Sequence, residues 1–188
     1  SFQSDNGDVV VIPPFPDFCG LPADIPSLFL WFPLLGTESL GINFIFHSKR
    51  FYPVEKRNNI MLPGSTPIKQ ENGGKNSVVL KEITEVLFAY FAKDENAKTL
   101  IRQMCEVSFP NTSEDKVTCQ FYKDMQELWN THIPYWKILP INDEYYAITD
   151  ARIKLLHRDF YSQLNLEQRF EYEPILTDYA QLPQKADG

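Results

Sequence analysis

The sequence predicts an α+β fold: a small mixed β-sheet drawn from the first half, packed by one amphipathic helix, then a helical region that carries a β-hairpin. Three observations predict it. Two apolar runs, 27–35 and 42–47, are bounded by Pro26, Gly36 and Gly41 and joined through Gly36-Thr37-Glu38-Ser39, the punctuation of two strands and a connection. Over 76–92, Val79, Ile83, Val86, Leu87 and Tyr90 recur at helical spacing, with Leu80 and Phe91 broadening the stripe. Beyond Pro110 the helical period returns over 114–130, and 135–148 alternates like a hairpin around Asn142-Asp143.

In chain order, 8–12 reads as a first strand closed by Pro13, Pro14 and Pro16, and a proline-rich crossing leads to Pro26. The next two strands are almost wholly apolar, which predicts cover on both faces. Residues 70–77 read as a mobile loop, and Asn76 or Ser77 can cap the helix that follows. A second helix is expected over 95–106, with Leu100, Ile101 and Met104 on one side. Ser113 can cap a third over 114–130, turning Val117, Phe121, Met125, Leu128 and Trp129 inward. The hairpin pairs 135–141 with 144–148. A short helix from Thr149 or Asp150 to Leu156, another over 166–180 and a polar tail complete the chain. The reading divides it into a sheet domain, 1–110, with a charged loop at 49–59, and a mostly helical extension, 111–188, with the hairpin at 135–148.

Composition narrows the function. An apolar content of 43% over 188 residues is enough core for one domain, or for one domain plus a helical extension. A net charge of −7 argues against a dominant nucleic-acid footprint, since affinity for phosphate backbone comes from clustered Lys and Arg. Cys19, Cys105 and Cys119 form no Cys-x-x-Cys pair and read as reduced thiols of a cytoplasmic protein. No apolar run approaches the ~20 residues that a membrane-spanning helix needs.

The charged loop is the densest chemistry in the chain. Lys49-Arg50-Phe51-Tyr52-Pro53-Val54-Glu55-Lys56-Arg57-Asn58-Asn59 follows the second strand, and Pro53 cannot donate to a central ladder. One reading is a solvated loop with a local pair between Glu55 and Lys56 or Arg57, worth about 0–1 kcal/mol. The other is an arginine held out toward an anion such as a nucleotide γ-phosphate, which a planar guanidinium can bind through two hydrogen bonds.

The order of these parts, an aliphatic strand ending in Phe32-Pro33-Leu34-Leu35-Gly36-Thr37-Glu38, the strand Asn43-Phe44-Ile45-Phe46-His47-Ser48, the Tyr52-Pro53-Val54-Glu55-Lys56-Arg57 loop and a long amphipathic helix, resembles a known segment. It is similar to the region following the nucleotide-binding domain in bacterial sacsin-like ATP-binding proteins of the GHKL superfamily, to which the ninety-kilodalton heat-shock chaperones belong. The specific match covers 29–62. The resemblance implies a sheet portion like the chaperone middle domain and a loop arginine that reaches the γ-phosphate of ATP in the preceding domain: Arg57 first, with Lys56 and Arg50 as weaker candidates. It further implies a piece of a longer polypeptide whose upstream domain binds ATP and Mg, and no ATP hydrolysis by this piece alone.

No catalytic set appears. The helix-borne Asn and Glu, the Asp-x-Gly segment and the glycine-rich lid of a GHKL nucleotide domain are not present together, and Asp5-Asn6-Gly7 reads as a turn. Residues 70–77 lack the first glycine of a phosphate loop, and Asn76 stands where Ser or Thr would hold magnesium. His47, His132 and His157 show no metal-ligand spacing, so neither a metal site nor an enzyme is expected. The alternative is a protein-interaction module without a role in nucleotide turnover, binding a partner through Tyr135, Trp136, Tyr145 and Tyr146.

Overall fold

Alternation of buried and half-exposed positions along two central strands sets the architecture. In a computed structural model, the structure describes residues 1–12, 21–22, 24–93, 107–137, 139–141 and 144–150. Strands β1 (Phe2–Gln3), β2 (Val9–Val11), β3 (Leu28–Phe29) and β4 (Ile45–His47) form one sheet in the order β1-β2-β4-β3. It is mixed: β2 is antiparallel to β1 and β4, while β3 runs parallel to β4 with Leu28 opposite Phe46. The fold is therefore α+β around a small mixed sheet.

The expected two-faced burial is not what forms. Phe44, Phe46 and Ser48 are buried while Asn43, Ile45 and His47 are only half-buried, so the strand has one core face. The single strand expected over 27–35 also breaks early. After Phe29 the chain folds back on itself, with Leu30 N donating to Phe32 O, a bridge from Phe29 to Pro33, and Leu34 N donating to Leu28 O at 3.0 Å. Pro33 has no N–H for a ladder, and Trp31 is left 69% exposed at the bend. A 3₁₀ turn, Thr37–Leu40, then leads to β4, as the glycine-bounded connection predicts.

The long helix starts earlier than its apolar stripe suggests. A π-helical turn, Lys69–Gly73, runs directly into α1 (Gly74–Phe91), so 70–77 is helix and not a loop. Pro67 precedes that turn, a position where its missing N–H costs nothing. Gly73 permits the close approach that follows: a Cβ there would lie 2.6 Å from Pro63 N and closer still to the Leu62 carbonyl. The next helix among the described residues, α2 (Lys116–His132), is capped by Asp115, whose side chain accepts from Val117 N, and not by Ser113. Asp115 also accepts from Ser65 N at 2.8 Å and Ser65 Oγ at 2.9 Å. These bonds to Ser65 hold the Asp115 carboxyl below the usual aspartate range. Val117 faces solvent, and Thr118, buried, donates to Pro63 O at 2.6 Å instead.

A 3₁₀ turn, Ile133–Tyr135, follows α2, and β5 (Leu139–Ile141) pairs antiparallel with β6 (Glu144–Tyr146). One core joins these parts: Phe44 and Phe46 from the sheet, Leu80, Ile83, Leu87, Phe88 and Phe91 from α1, and Phe121, Met125 and Trp129 from α2. Trp129 is stacked on Phe44 at 5.8 Å and meets Phe88 edge-on at 5.1 Å. The crossing through Pro13, Pro14 and Pro16, the helices expected over 95–106 and over 166–180, the helix expected from 149 or 150 to 156 beyond Asp150, and Cys19, Cys105 and His157 lie outside the described residues. Among the described residues, no helix is long and apolar enough to cross a membrane.

Candidate functional site

The chain leaves β4 through Ser48 and makes a second, smaller hairpin. Met61 N donates to Tyr52 O at 2.9 Å, Pro53 bridges Ile60, and Val54 N donates to Asn59 O at 2.9 Å. The tip is closed by Arg57 N donating to Val54 O at 2.8 Å. Arg57 itself adopts φ 54, the one left-handed non-glycine among the described residues. Such a residue ends hairpin loops built on a type I turn, where glycine or asparagine is the usual occupant.

Asn76, on the buried stripe of α1, pins the base of this hairpin. Its Oδ1 accepts from Tyr52 N at 2.8 Å, and its Nδ2 donates to Tyr52 O at 2.8 Å and to Met61 O at 2.7 Å. One amide thus satisfies backbone groups on both hairpin strands. Lys75 lies over the Tyr52 ring at 5.0 Å and pairs with Glu71 at 2.8 Å, which holds the lysine's pKa above and the glutamate's below their usual values. On the other flank, Asn59 Nδ2 donates to Gly36 O at 3.4 Å. Gly36 has φ 110, and a Cβ there would stand 2.9 Å from Asn58 O. The hairpin is therefore wedged between the Gly36 turn and the start of α1.

The loop cations do not act as one cluster. Lys49 lies over the exposed ring of Trp31 at 4.6 Å, and His47 meets that ring edge-on at 6.4 Å. Arg50 is engaged by two carboxylates: Asp8, through Nη2 and, at 3.4 Å, through Nε, and Glu82, through Nη1 at 2.6 Å. The hydrogen bond to Asp8 raises the Arg50 pKa above its usual value, against the opposing effect of burial. Asp8 is only 3% exposed, so Arg50 ties the start of β2 to the middle of α1. Lys56 and Arg57 are exposed at the tip, and among the described residues neither has an ion-pair partner.

Of the aromatic residues expected to face a partner, Tyr135 is 70% exposed and Tyr145 and Tyr146 are half-buried. Trp136 is only 3% exposed and packs against Phe88 and Phe91, so its ring supplies core. Among the described residues there is no cluster of His, Cys, Asp and Glu able to hold a metal. Sequence reasoning missed Asp8, Glu82 and the clamp made by Asn76. The last left a signal: Asn76 falls one turn before Val79 and Leu80 on the apolar stripe, where a polar side chain must find buried partners. Compared with protein-family models, with curated proteins and with solved structures, the chain matches none.

Proposed function

We propose that this chain is a non-catalytic middle, or transducer, segment of a GHKL-type ATP-binding protein, in which Arg57 completes the nucleotide site of an adjoining domain. The observation that carries this reading is the exposed Arg57, without an ion-pair partner among the described residues, in a left-handed conformation on a hairpin fixed at its base. Backbone strain of this kind collects at ligand-contacting positions. A guanidinium on such a tip reaches a γ-phosphate without first breaking an internal salt bridge, and Lys56 beside it adds charge. Arg50 has the opposite character, since releasing it would leave the Asp8 carboxylate buried and unpaired. In this reading ATP and Mg are bound by the upstream nucleotide-binding domain of the same polypeptide, in the cytoplasm. The small sheet under α1 plays the part of a chaperone middle domain. The competing reading, a protein-interaction module, draws on Tyr135 with Tyr145 and Tyr146, and the burial of Trp136 weakens it.

Calorimetry with ATP, a non-hydrolysable analogue and ADP in the presence of magnesium tests the proposal, first on the chain alone and then mixed with the upstream portion of its polypeptide. The expected result is no binding by the chain alone. In the mixture, Arg57→Ala should weaken ATP about 10- to 100-fold, the worth of a charged hydrogen bond, and leave ADP unchanged. Binding by the chain alone, or indifference of ATP affinity to Arg57→Ala, would overturn it.

A further inference from the structure

We infer that Asn76 is a positioning residue that couples the hairpin tip to α1, so that an anion held at Arg57 is felt as a change in the first turns of that helix. The inference rests on the transducer reading for its ligand, but its mechanical part stands on contacts alone. Three independent contacts join hairpin and helix within four consecutive residues: the backbone approach of Gly73 to Leu62 and Pro63, the stacking of Lys75 on Tyr52, and the three hydrogen bonds of Asn76 to Tyr52 and Met61. The Asn76 bonds reach both hairpin strands at the level where Met61 N meets Tyr52 O, so the strands cannot twist or slide without displacing the amide. Further along α1, Glu82 meets Arg50, which fixes the chain entering the hairpin to the same helix. The π-helical turn just before Gly74 supplies the element able to respond, because a wide turn can revert to α geometry by shifting one residue's hydrogen bonds. A hairpin pulled toward a phosphate would therefore move α1 about this turn, with Asn76 as the joint. Without the Asn76 bonds only the Gly73 approach and the Lys75–Tyr52 contact would carry the movement of the tip to the start of the helix.

Amide hydrogen exchange reads this directly. In the chain alone, Asn76→Ala should speed exchange about tenfold or more at Arg57 and Met61 and also over 70–78, while amides in the middle of α2 keep the wild-type rate. In the mixture with the upstream portion, addition of the non-hydrolysable ATP analogue should change exchange over 70–78 in the wild type. That change should shrink several-fold in Asn76→Ala although the analogue still binds. If Asn76→Ala does not fold, Asn76→Ser, which keeps a short polar group, takes its place. Wild-type exchange at the hairpin in the variant, or a response of 70–78 to the analogue that survives it undiminished, would overturn the inference. A loss of Arg57-dependent nucleotide binding with the exchange coupling intact would instead remove the transducer reading and leave the mechanical joint standing.

Discussion

Replacing Arg57 by glycine should make the protein more stable, and the size of the gain follows from one dihedral angle. At φ 54 an L-residue brings its Cβ against the neighbouring carbonyl, which costs about 1–2 kcal/mol. Glycine removes that cost but adds freedom to the unfolded chain, which takes back about 0.4–1 kcal/mol. A net gain of roughly 0.5–1 kcal/mol remains, or a rise of about 1–4 °C in Tm for a chain of this size. Alanine shares the strain and makes no contact that arginine lacks, so Arg57→Ala should stay within about 0.5 kcal/mol of the parent. Urea unfolding followed by tryptophan fluorescence suits the measurement, since Trp129 and Trp136 are buried and report loss of the core. A loss of more than about 1 kcal/mol in Arg57→Ala would show that the side chain belongs to the fold and would refute its assignment as a free contact group. A stable Arg57→Gly that no longer distinguishes ATP from ADP in the mixture would be the expected signature of strain kept for function.

Gly73→Ala would drive a methyl group into the Leu62 and Pro63 backbone and should lower stability by about 1–3 kcal/mol in the same urea assay; a neutral result would mean that the π turn yields freely. Arg50→Met should cost roughly 2 kcal/mol, less than a fully buried pair because Arg50 is 34% exposed, and Asp8→Asn in addition should recover part of that loss; strictly additive effects would contradict the pairing. Asp115 has a lowered carboxyl pKa in the folded state, so its contribution is complete above the unfolded value of about 3.9 and is lost as the pH falls through the folded value. Asp115→Asn should therefore be less stable than the parent at neutral pH and converge with it in acid, and parallel curves down to the acid limit would count against that role.

Legibility in the sequence followed the range of the interactions. The stripe over Val79, Ile83 and Leu87 and the inward set Phe121, Met125 and Trp129 were readable because helical burial repeats with a local period. The early end of β3 was not, since Trp31 and Leu35 look like core residues until the fold-back at Pro33 leaves both exposed. The start of α1 was hidden by Gly73 and Gly74, which read as breakers, although Gly73 here answers a close backbone approach from Leu62 and Pro63 and Gly74 sits in open space. At the site, Lys56 and Arg57 stood out by charge density, whereas the engagement of Arg50 required Asp8, forty-two positions away, and Glu82, thirty-two. Asp115 shows the same limit: it lies beside the expected cap Ser113, but Ser65 helps to hold it in place.

The packing of Trp129 against Phe44 and Phe88 also has a kinetic side. The sheet and α1 complete their apolar surface with a ring that the ribosome adds roughly 40 residues after Phe88, a delay of about 2–8 s at 5–20 residues per second. During that interval Phe44, Phe88 and Phe91 lack their cover, and the nascent chain shows an aromatic face that the finished protein never presents. Contacts of such long separation close slowly, because the intervening loop must be ordered before they form. The same ring that unites the core at equilibrium thus leaves the newborn chain open to aggregation until it arrives.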